Sequence, residues 1–371
     1  MKIKLNKDRL ADALNTVKDV AAENGLEIIK NVKFETCGQD VVRLTATNLD
    51  VTITADAPCA VEEAGATTAR ARLLSQIVGA LPSGVQVDFA SDEKNVEQAT
   101  LVGGEAKFRL STLPVKEFPS MGPVDGVEFT LNEPDLRGLL RRTSYAVSAD
   151  ETRRCLMSVC LQSRDGVLTA VATDGRRLST ASIAKSDALV GKDFEMLLPM
   201  NTVKCLLRMM TGGGTVAVSL RPGSLARFSA TGWTLQTRLV ADAYPNWRQV
   251  IPGGDMKSAV VGREDFVNAI KQAATTASAD NTSVSVDVKD GYIGLKSKNG
   301  DGTAASSVKV AAKAEGGGSA SILLSPRYLL DALNAIPSDD VSFNYTGPAA
   351  PVTFTSEGEE AVAVLMPLRV G

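Results

Sequence analysis

One pattern occurs three times in this chain, and it limits the fold more than any other feature. Residues 133–150 read as a helix. Pro134 sits in the first turn, where its missing N–H costs nothing, and Leu136, Leu139, Leu140 and Thr143 form an apolar stripe at helical spacing. Arg137, Arg141 and Arg142 lie off that stripe. Residues 7–21 and 263–280 repeat the pattern, so that Leu10, Leu136 and Phe266 correspond, as do Leu14, Leu140 and Ile270. The offsets, about 126 and about 130 residues, are too long for a solenoid repeat, so the repeated unit is a whole domain.

Each copy continues in the same order. Residues 31–50, 158–175 and 283–297 alternate apolar and polar, as half-buried strands do. Asp165-Gly166 and Asp290-Gly291 supply the positive φ of a tight hairpin, with Gly38-Gln39-Asp40 at the same point of the first copy. A second helix follows at 70–80, 201–210 and 327–335, closed by Pro82, Gly212 and Pro337. Strands come next at 85–89, 215–220 and 341–345, and a last strand at 105–112, 233–240 and 361–370. Pro and Gly crowd 117–126 and 244–254, which read as linkers. The expected domains are therefore 1–121, 127–251 and 257–371. Two helices packed on one side of antiparallel sheets make each an α+β module.

Composition narrows the chemistry. Histidine is absent from all 371 residues, which removes Ser-His-Asp and Cys-His catalysis and every His-ligated metal. Cys37, Cys59, Cys155, Cys160 and Cys205 form no CxxC pair and read as reduced core thiols. The glycine clusters at 212–214 and 316–319 lack the Gly-Lys-Ser/Thr of a phosphate-binding loop. Residues 1–7 have no apolar signal region, and no stretch approaches a membrane span, so a cytoplasmic protein without cofactor is expected.

Charge is distributed unevenly. Over 7–21, 70–80, 133–147, 201–210, 263–278 and 327–335 the helices carry thirteen Lys and Arg against eight Asp and Glu, a net of +5 in a chain of −3, which leaves −8 elsewhere. Mixed charge solvating one helix face explains part of this; a helical face that meets a polyanion explains it more sharply. Tandem domains can curve with the same face inward, and a head-to-tail pair of chains that closes would present twelve helices. At roughly 9 Å between axes and about 10 Å per helix body, twelve enclose an opening on the order of 24 Å, wide enough for a nucleic-acid duplex.

The triplication carries a resemblance, together with Ala172-Thr-Asp-Gly-Arg-Arg-Leu-Ser179, Leu110-Ser-Thr-Leu-Pro114, Glu117-Phe-Pro119, the segment from Tyr244 to Pro252 and Met366-Pro-Leu-Arg-Val370. Over its full length the chain resembles the beta subunits of bacterial DNA polymerase III, the sliding clamps. The resemblance implies a ring-forming homodimer of three-domain chains. Such a ring encircles double-stranded DNA without reading sequence and tethers the replicative polymerase subunit, the clamp loader, other polymerases and repair proteins. No catalytic residue or metal is implied.

The resemblance places a partner-peptide pocket on Leu156, Thr173, Gly175, Arg176, Arg177, Leu178, Pro245, Val250, Val364, Leu365, Met366, Pro367 and Leu368. Gln249 stands where many clamps have arginine, and Gly371 extends past the usual end. The candidate DNA-facing cations are Arg72, Arg137, Arg141, Arg142, Arg153, Arg154, Lys204, Arg208 and Lys271. Arg154 and Cys155 replace aromatics found in relatives, substituting charge for stacking. The dimer seam falls on Lys107, Phe108 and Leu110 of one edge strand and on Thr275 and Thr276. Two other classes compete: an enzyme using Asp174 or Asp242 in a cleft, and a three-domain scaffold that never closes.

Overall fold

The computed structural model describes every residue except 23, 92–97, 278–282, 316–319 and 369–371. The glycine cluster at 316–319, the end of the helix expected over 263–280, the last residues of the strand expected over 361–370, and Gly371 therefore lie wholly or partly outside the described residues.

The first repeat runs β1 (Lys2–Asn6), α1 (Lys7–Val17), β2 (Asn31–Cys37), β3 (Val41–Thr47), β4 (Val51–Pro58), β5 (Ala60–Glu63), β6 (Ala66–Arg70), α2 (Ala71–Ala80), β7 (Gln86–Ser91), β8 (Gln98–Gly103) and β9 (Ala106–Ser111). The second runs β10 (Val127–Asn132), α3 (Glu133–Thr143), β11 (Ser158–Arg164), β12 (Val167–Thr173), β13 (Arg177–Ile183), β14 (Phe194–Pro199), α4 (Met200–Met209), β15 (Thr215–Arg221), β16 (Leu225–Ala230) and β17 (Trp233–Arg238). The third runs β18 (Lys257–Gly262), α5 (Arg263–Ala274), β19 (Val284–Lys289), β20 (Tyr292–Lys298), β21 (Ala305–Glu315), β22 (Ala320–Leu324), α6 (Pro326–Ala335), β23 (Asp340–Tyr345), β24 (Val352–Thr355) and β25 (Ala361–Leu365).

The first helix of each repeat is shorter than its apolar period predicts, ending at Val17, Thr143 and Ala274 rather than at 21, 150 and 280. Hydroxyls explain two of these ends, because a Ser or Thr side chain that takes a backbone carbonyl competes with the helical ladder. Thr143 Oγ1 donates to Leu139 O at 2.8 Å, and Thr275 Oγ1 donates to Gln272 O at 2.7 Å. The apolar stripes themselves are buried: Leu10, Leu14, Leu136, Leu140, Phe266 and Ile270 all lie in the core. Burying each such side chain stabilises the fold by roughly 1.5–3 kcal/mol.

By compactness the described chain divides into two units, and the division cuts the second repeat. One unit comprises Met1–Glu133 with Gly213–Leu239, the other Pro134–Gly212 with Val240–Gly371. Strand pairing explains the cut. In the first unit one sheet has the order β5-β1-β7-β8-β9, and the other β10-β15-β16-β17-β4-β3-β2-β6, so β17 of the second repeat pairs with β4 of the first. In the second unit a single sheet has the order β14-β11-β12-β13-β25-β24-β23-β18-β21-β20-β19-β22, with β25 of the third repeat on β13 of the second. Hydrogen bonds thus tie each half of the second repeat to a different neighbour.

Two members of this pairing series are left without a partner strand among the described residues. β9 closes the first repeat as β17 and β25 close theirs, yet it ends its sheet with only β8 beside it. β21 is the counterpart of β4 and β13. Its residues 312–315 pair with β18 and residues 305–311 pair with β20, and the other side of 305–311 has no strand among the described residues. At the opposite edge of the β9 sheet, Glu62 bridges Lys2 at 2.7 Å and Lys4 at 2.6 Å.

Hydrogen bonds from Lys2 and Lys4 hold the Glu62 carboxyl down at about 2, below its ordinary 4.5. A carboxylate with a lowered folded pKa contributes stability that is present above the unfolded value and lost as pH falls toward the folded one. Glu62→Gln is therefore expected to lower the urea midpoint slightly at pH 7, and the gap from wild type to shrink as pH falls below about 4.5. A gap independent of pH would contradict the bridge.

Candidate functional site

β13 and β25 bring together two stretches separated by nearly half the chain. Arg177 pairs with Leu365 and Leu178 with Val364, and beyond the strand the Met366 N–H donates to Arg176 O at 2.9 Å. Leu178 and Val364 join Cys160, Val171, Leu197 and Trp247 in one buried cluster, with Cys155, Val240, Tyr244, Ile251 and Val362 packed around it. This makes an apolar floor. In the segments that run on from this cluster, Val250 and Met366 are 46% and 40% exposed, and Pro245 is exposed too. An apolar floor with exposed, repackable lips suits an apolar anchor from another chain.

The rim is a tight turn. Thr173 Oγ1 donates to Arg177 O at 2.7 Å and accepts from Gly175 N at 3.1 Å. Asp174 Oδ1 accepts from the N–H groups of Arg176 and Arg177 at 2.9 and 3.0 Å. Gly175 has φ +86°, the left-handed region that glycine enters without strain. The first repeat builds the same turn with other residues. Thr47 Oγ1 donates to Val51 O and accepts from Leu49 N, Asn48 Oδ1 accepts from Asp50 N and Val51 N, and Leu49 has φ +78°. There the Arg238 N–H donates to Asp50 O at 2.8 Å, as Met366 does to Arg176.

The sequence-predicted pocket residues do not play one part. Leu156, Leu178, Val364 and Leu365 are buried, Arg177 is only 6% exposed at its side chain, and Thr173, Pro367 and Leu368 are half-buried. The Leu368 N–H donates to Leu323 O at 2.8 Å. Gly175 and Arg176 are exposed. Sequence reasoning missed Trp247, which anchors the floor under Arg248, whose guanidinium lies 4.2 Å from the ring centroid. The segment from Tyr244 to Pro252 reads as a linker, and only its two aromatics separated by two residues signal a packed turn.

Among the cations, Arg72, Arg141, Arg154, Lys204, Arg208 and Lys271 are exposed on α2, α3, the 154–157 turn, α4 and α5, while Arg137 is half-buried. Arg142 is also half-buried, held by Glu359 at 2.7 Å. Arg153 lies at the pocket rim: it donates to Asp174 O at 3.3 Å, and its Nη1 is 3.2 Å from where a Cβ on Gly175 would stand. Asp174 is engaged by three N–H groups, including Arg177 Nε at 3.0 Å, and Asp242 is exposed. Of the cysteines, all free, only Cys160 is fully buried, and burial pushes its thiol up; the other four are half-buried rather than core thiols. No helix among the described residues is long and apolar enough to cross a membrane.

At the seam positions Lys107 is exposed and Phe108 half-buried, but Leu110 is 3% exposed and faces its own core. Thr276 Oγ1 donates to Ser306 Oγ of β21 at 3.0 Å, so the end of α5 is fastened to the open edge.

Three consecutive repeats joined by strand pairing, with an apolar cluster at a repeat junction, define a clamp-type scaffold. Family models agree along the chain: the N-terminal, central and C-terminal domains of the DNA polymerase III beta subunit match residues 1–122, 130–246 and 248–369. The beta sliding clamp of Caulobacter vibrioides is 30% identical over 382 residues, covering all of both chains. The crystal structure of the Pseudomonas aeruginosa DNA polymerase III beta subunit superposes with a TM-score of 0.92 at 26% identity, and that of the Bartonella birtlesii sliding clamp bound to griselimycin with 0.92 at 29%, each over the full length of both chains. The chain belongs to the bacterial DNA polymerase III beta subunit family, the beta sliding clamps. Its function is that of a DNA polymerase processivity factor.

Replacing Gly175 by alanine puts a side chain into the left-handed region and against the Arg153 guanidinium. The variant is expected to lose on the order of 1 kcal/mol of stability, read as a lowered urea midpoint. An unchanged midpoint would contradict the left-handed geometry assigned to Gly175.

Proposed function

We propose that two copies of this chain close head to tail into a ring that encircles duplex DNA, slides along it in the cytoplasm, and tethers the replicative polymerase, the clamp loader and repair proteins through the pocket on β13 and β25. The observation that carries this is the pair of open strand edges. Both internal junctions are made when the last strand of one repeat pairs with the fourth strand of the repeat before it. β9 and residues 305–311 of β21 are the two members of that series left without a partner among the described residues. Open edges invite pairing with another chain, and pairing these two across copies continues the rule, with the modules 1–121, 127–251 and 257–371 of two chains making six around the ring.

A closed ring holds DNA by topology and performs no reaction. Its inner contacts need only be weak, phosphate-directed and salt-sensitive. Arg72, Arg141, Lys204, Arg208 and Lys271 suit that role. Arg142 suits it less, because Glu359 already neutralises it. Arg153 belongs with the pocket, given its contacts at Asp174 and Gly175. Phe108, half-buried on β9, and Val308, half-buried on β21, offer apolar contact across the seam, flanked by Lys107, Thr275 and Thr276.

Two experiments test this. The wild type is expected to have the mass of two 39.0 kDa chains in solution, and Phe108→Asp that of one, measured by light scattering. A one-chain wild type would leave only an open scaffold. Loaded on nicked circular DNA, the protein is expected to persist when salt is raised and to be released when the circle is linearised. Arg141→Ala is expected to weaken loading more than Arg142→Ala. Equal retention on circular and linear DNA would contradict encirclement.

A further inference from the structure

Among the described residues Arg177 is the only buried arginine, and the turn that carries it does not require a charge. On the matching turn of the first repeat the same position is Val51, 3% exposed, within the same set of hydrogen bonds. Arg177 is instead enclosed on all sides. Its Nε lies 3.0 Å from Asp174 Oδ2 and its Nη1 2.6 Å from Asp331 Oδ2. Its guanidinium lies 4.4 Å from the ring centroid of Tyr328 and 5.5 Å from that of Tyr145. Burial pushes the Tyr145 hydroxyl up to about 12, so that ring stays neutral beside the cation. Tyr328 and Asp331 belong to α6 of the third repeat; Asp174 and Tyr145 belong to the second.

A buried ion pair is about as stable as apolar residues of the same volume. The first repeat shows that the apolar solution is compatible with this turn. What the charged solution adds is direction: a planar guanidinium with two carboxylates and a stacked ring has one orientation, where a valine has many neighbours that would serve. The object being oriented is the pocket rim, since the same turn carries Gly175 and Arg176, and Arg176 O holds the Met366 N–H.

We infer that Asp331 and Tyr328 on α6 are positioning residues for the partner pocket, acting through Arg177 to hold the turn 173–177 in its binding-competent position. The inference rests on the proposed pocket. A rim that samples other positions weakens apparent affinity by the fraction of time it is competent.

The test uses griselimycin as the probe and the full-length dimer, with affinity measured by calorimetry and stability by thermal melting. Arg177→Val with Asp331→Leu, the apolar solution on the same frame, is expected to weaken griselimycin binding at least ten-fold with the melting temperature little changed. Asp331→Asn, which keeps shape, is expected to weaken it several-fold, and it decides the matter if the double variant fails to fold. Tyr328→Phe keeps the ring and is expected to bind as wild type, whereas Tyr328→Leu is not. Met366→Ala and Val250→Ala control for the pocket itself. Should these two leave binding unchanged, the pocket is misplaced and the inference falls with it. Should they weaken binding while the Asp331 and Arg177 variants bind as wild type, the inference alone is overturned.

Discussion

Antiparallel strand pairing across repeat boundaries is the constraint from which the rest follows. Backbone N–H and C=O groups of an edge strand must find partners, and here each repeat meets that need through the next one: β17 on β4, β25 on β13. This binds the second repeat so firmly to both neighbours that its two halves fall into different compact units. The same pairing builds the proposed docking site, because the residues after β25 are delivered to the turn before β13. It also exhausts itself, leaving β9 and part of β21 as the ends of an unfinished series.

The repeated junction explains how one scaffold holds sites of different kinds. The turns at 47–51 and 173–177 share their hydrogen bonds and a residue with positive φ, yet the side chains set on them differ. Where the second–third junction pairs Leu178 with Val364, the first–second junction pairs Thr52 with Gln236, whose Nε2 donates to Gly122 O at 2.6 Å. A polar pair cannot offer an apolar floor. The difference between the two junctions is therefore a matter of side chains laid on a repeated backbone, and Arg177 is one of the residues that separate them.

Much of the fold was legible because its signals are periodic and local. The apolar stripe of Leu136, Leu139 and Leu140, its copies, the Asp165-Gly166 hairpin with φ of +51° and +81°, and the helix-ending prolines all act within a few residues of themselves. What was not legible depends on partners far away in sequence. Nothing local says that Arg142 meets Glu359, that Arg153 lies over Gly175, or that Leu110 turns inward on an edge strand. Trp247 is hidden in a Pro- and Gly-rich segment whose composition reads as linker, although it belongs to the same buried cluster as Leu178 and Val364. Helix ends were misjudged where threonine hydroxyls took carbonyls from the ladder, a competition that apolar spacing does not register.

Amide hydrogen exchange on the free protein bears most directly on the claim that the two open edges complete each other. If β9 and residues 305–311 pair between copies, both segments are slow to exchange at high protein concentration, and both lose protection together on dilution, while β4, β13, β17 and β25 stay protected throughout. Fast exchange of β9 and 305–311 at every concentration, or protection of one without the other, would contradict the account.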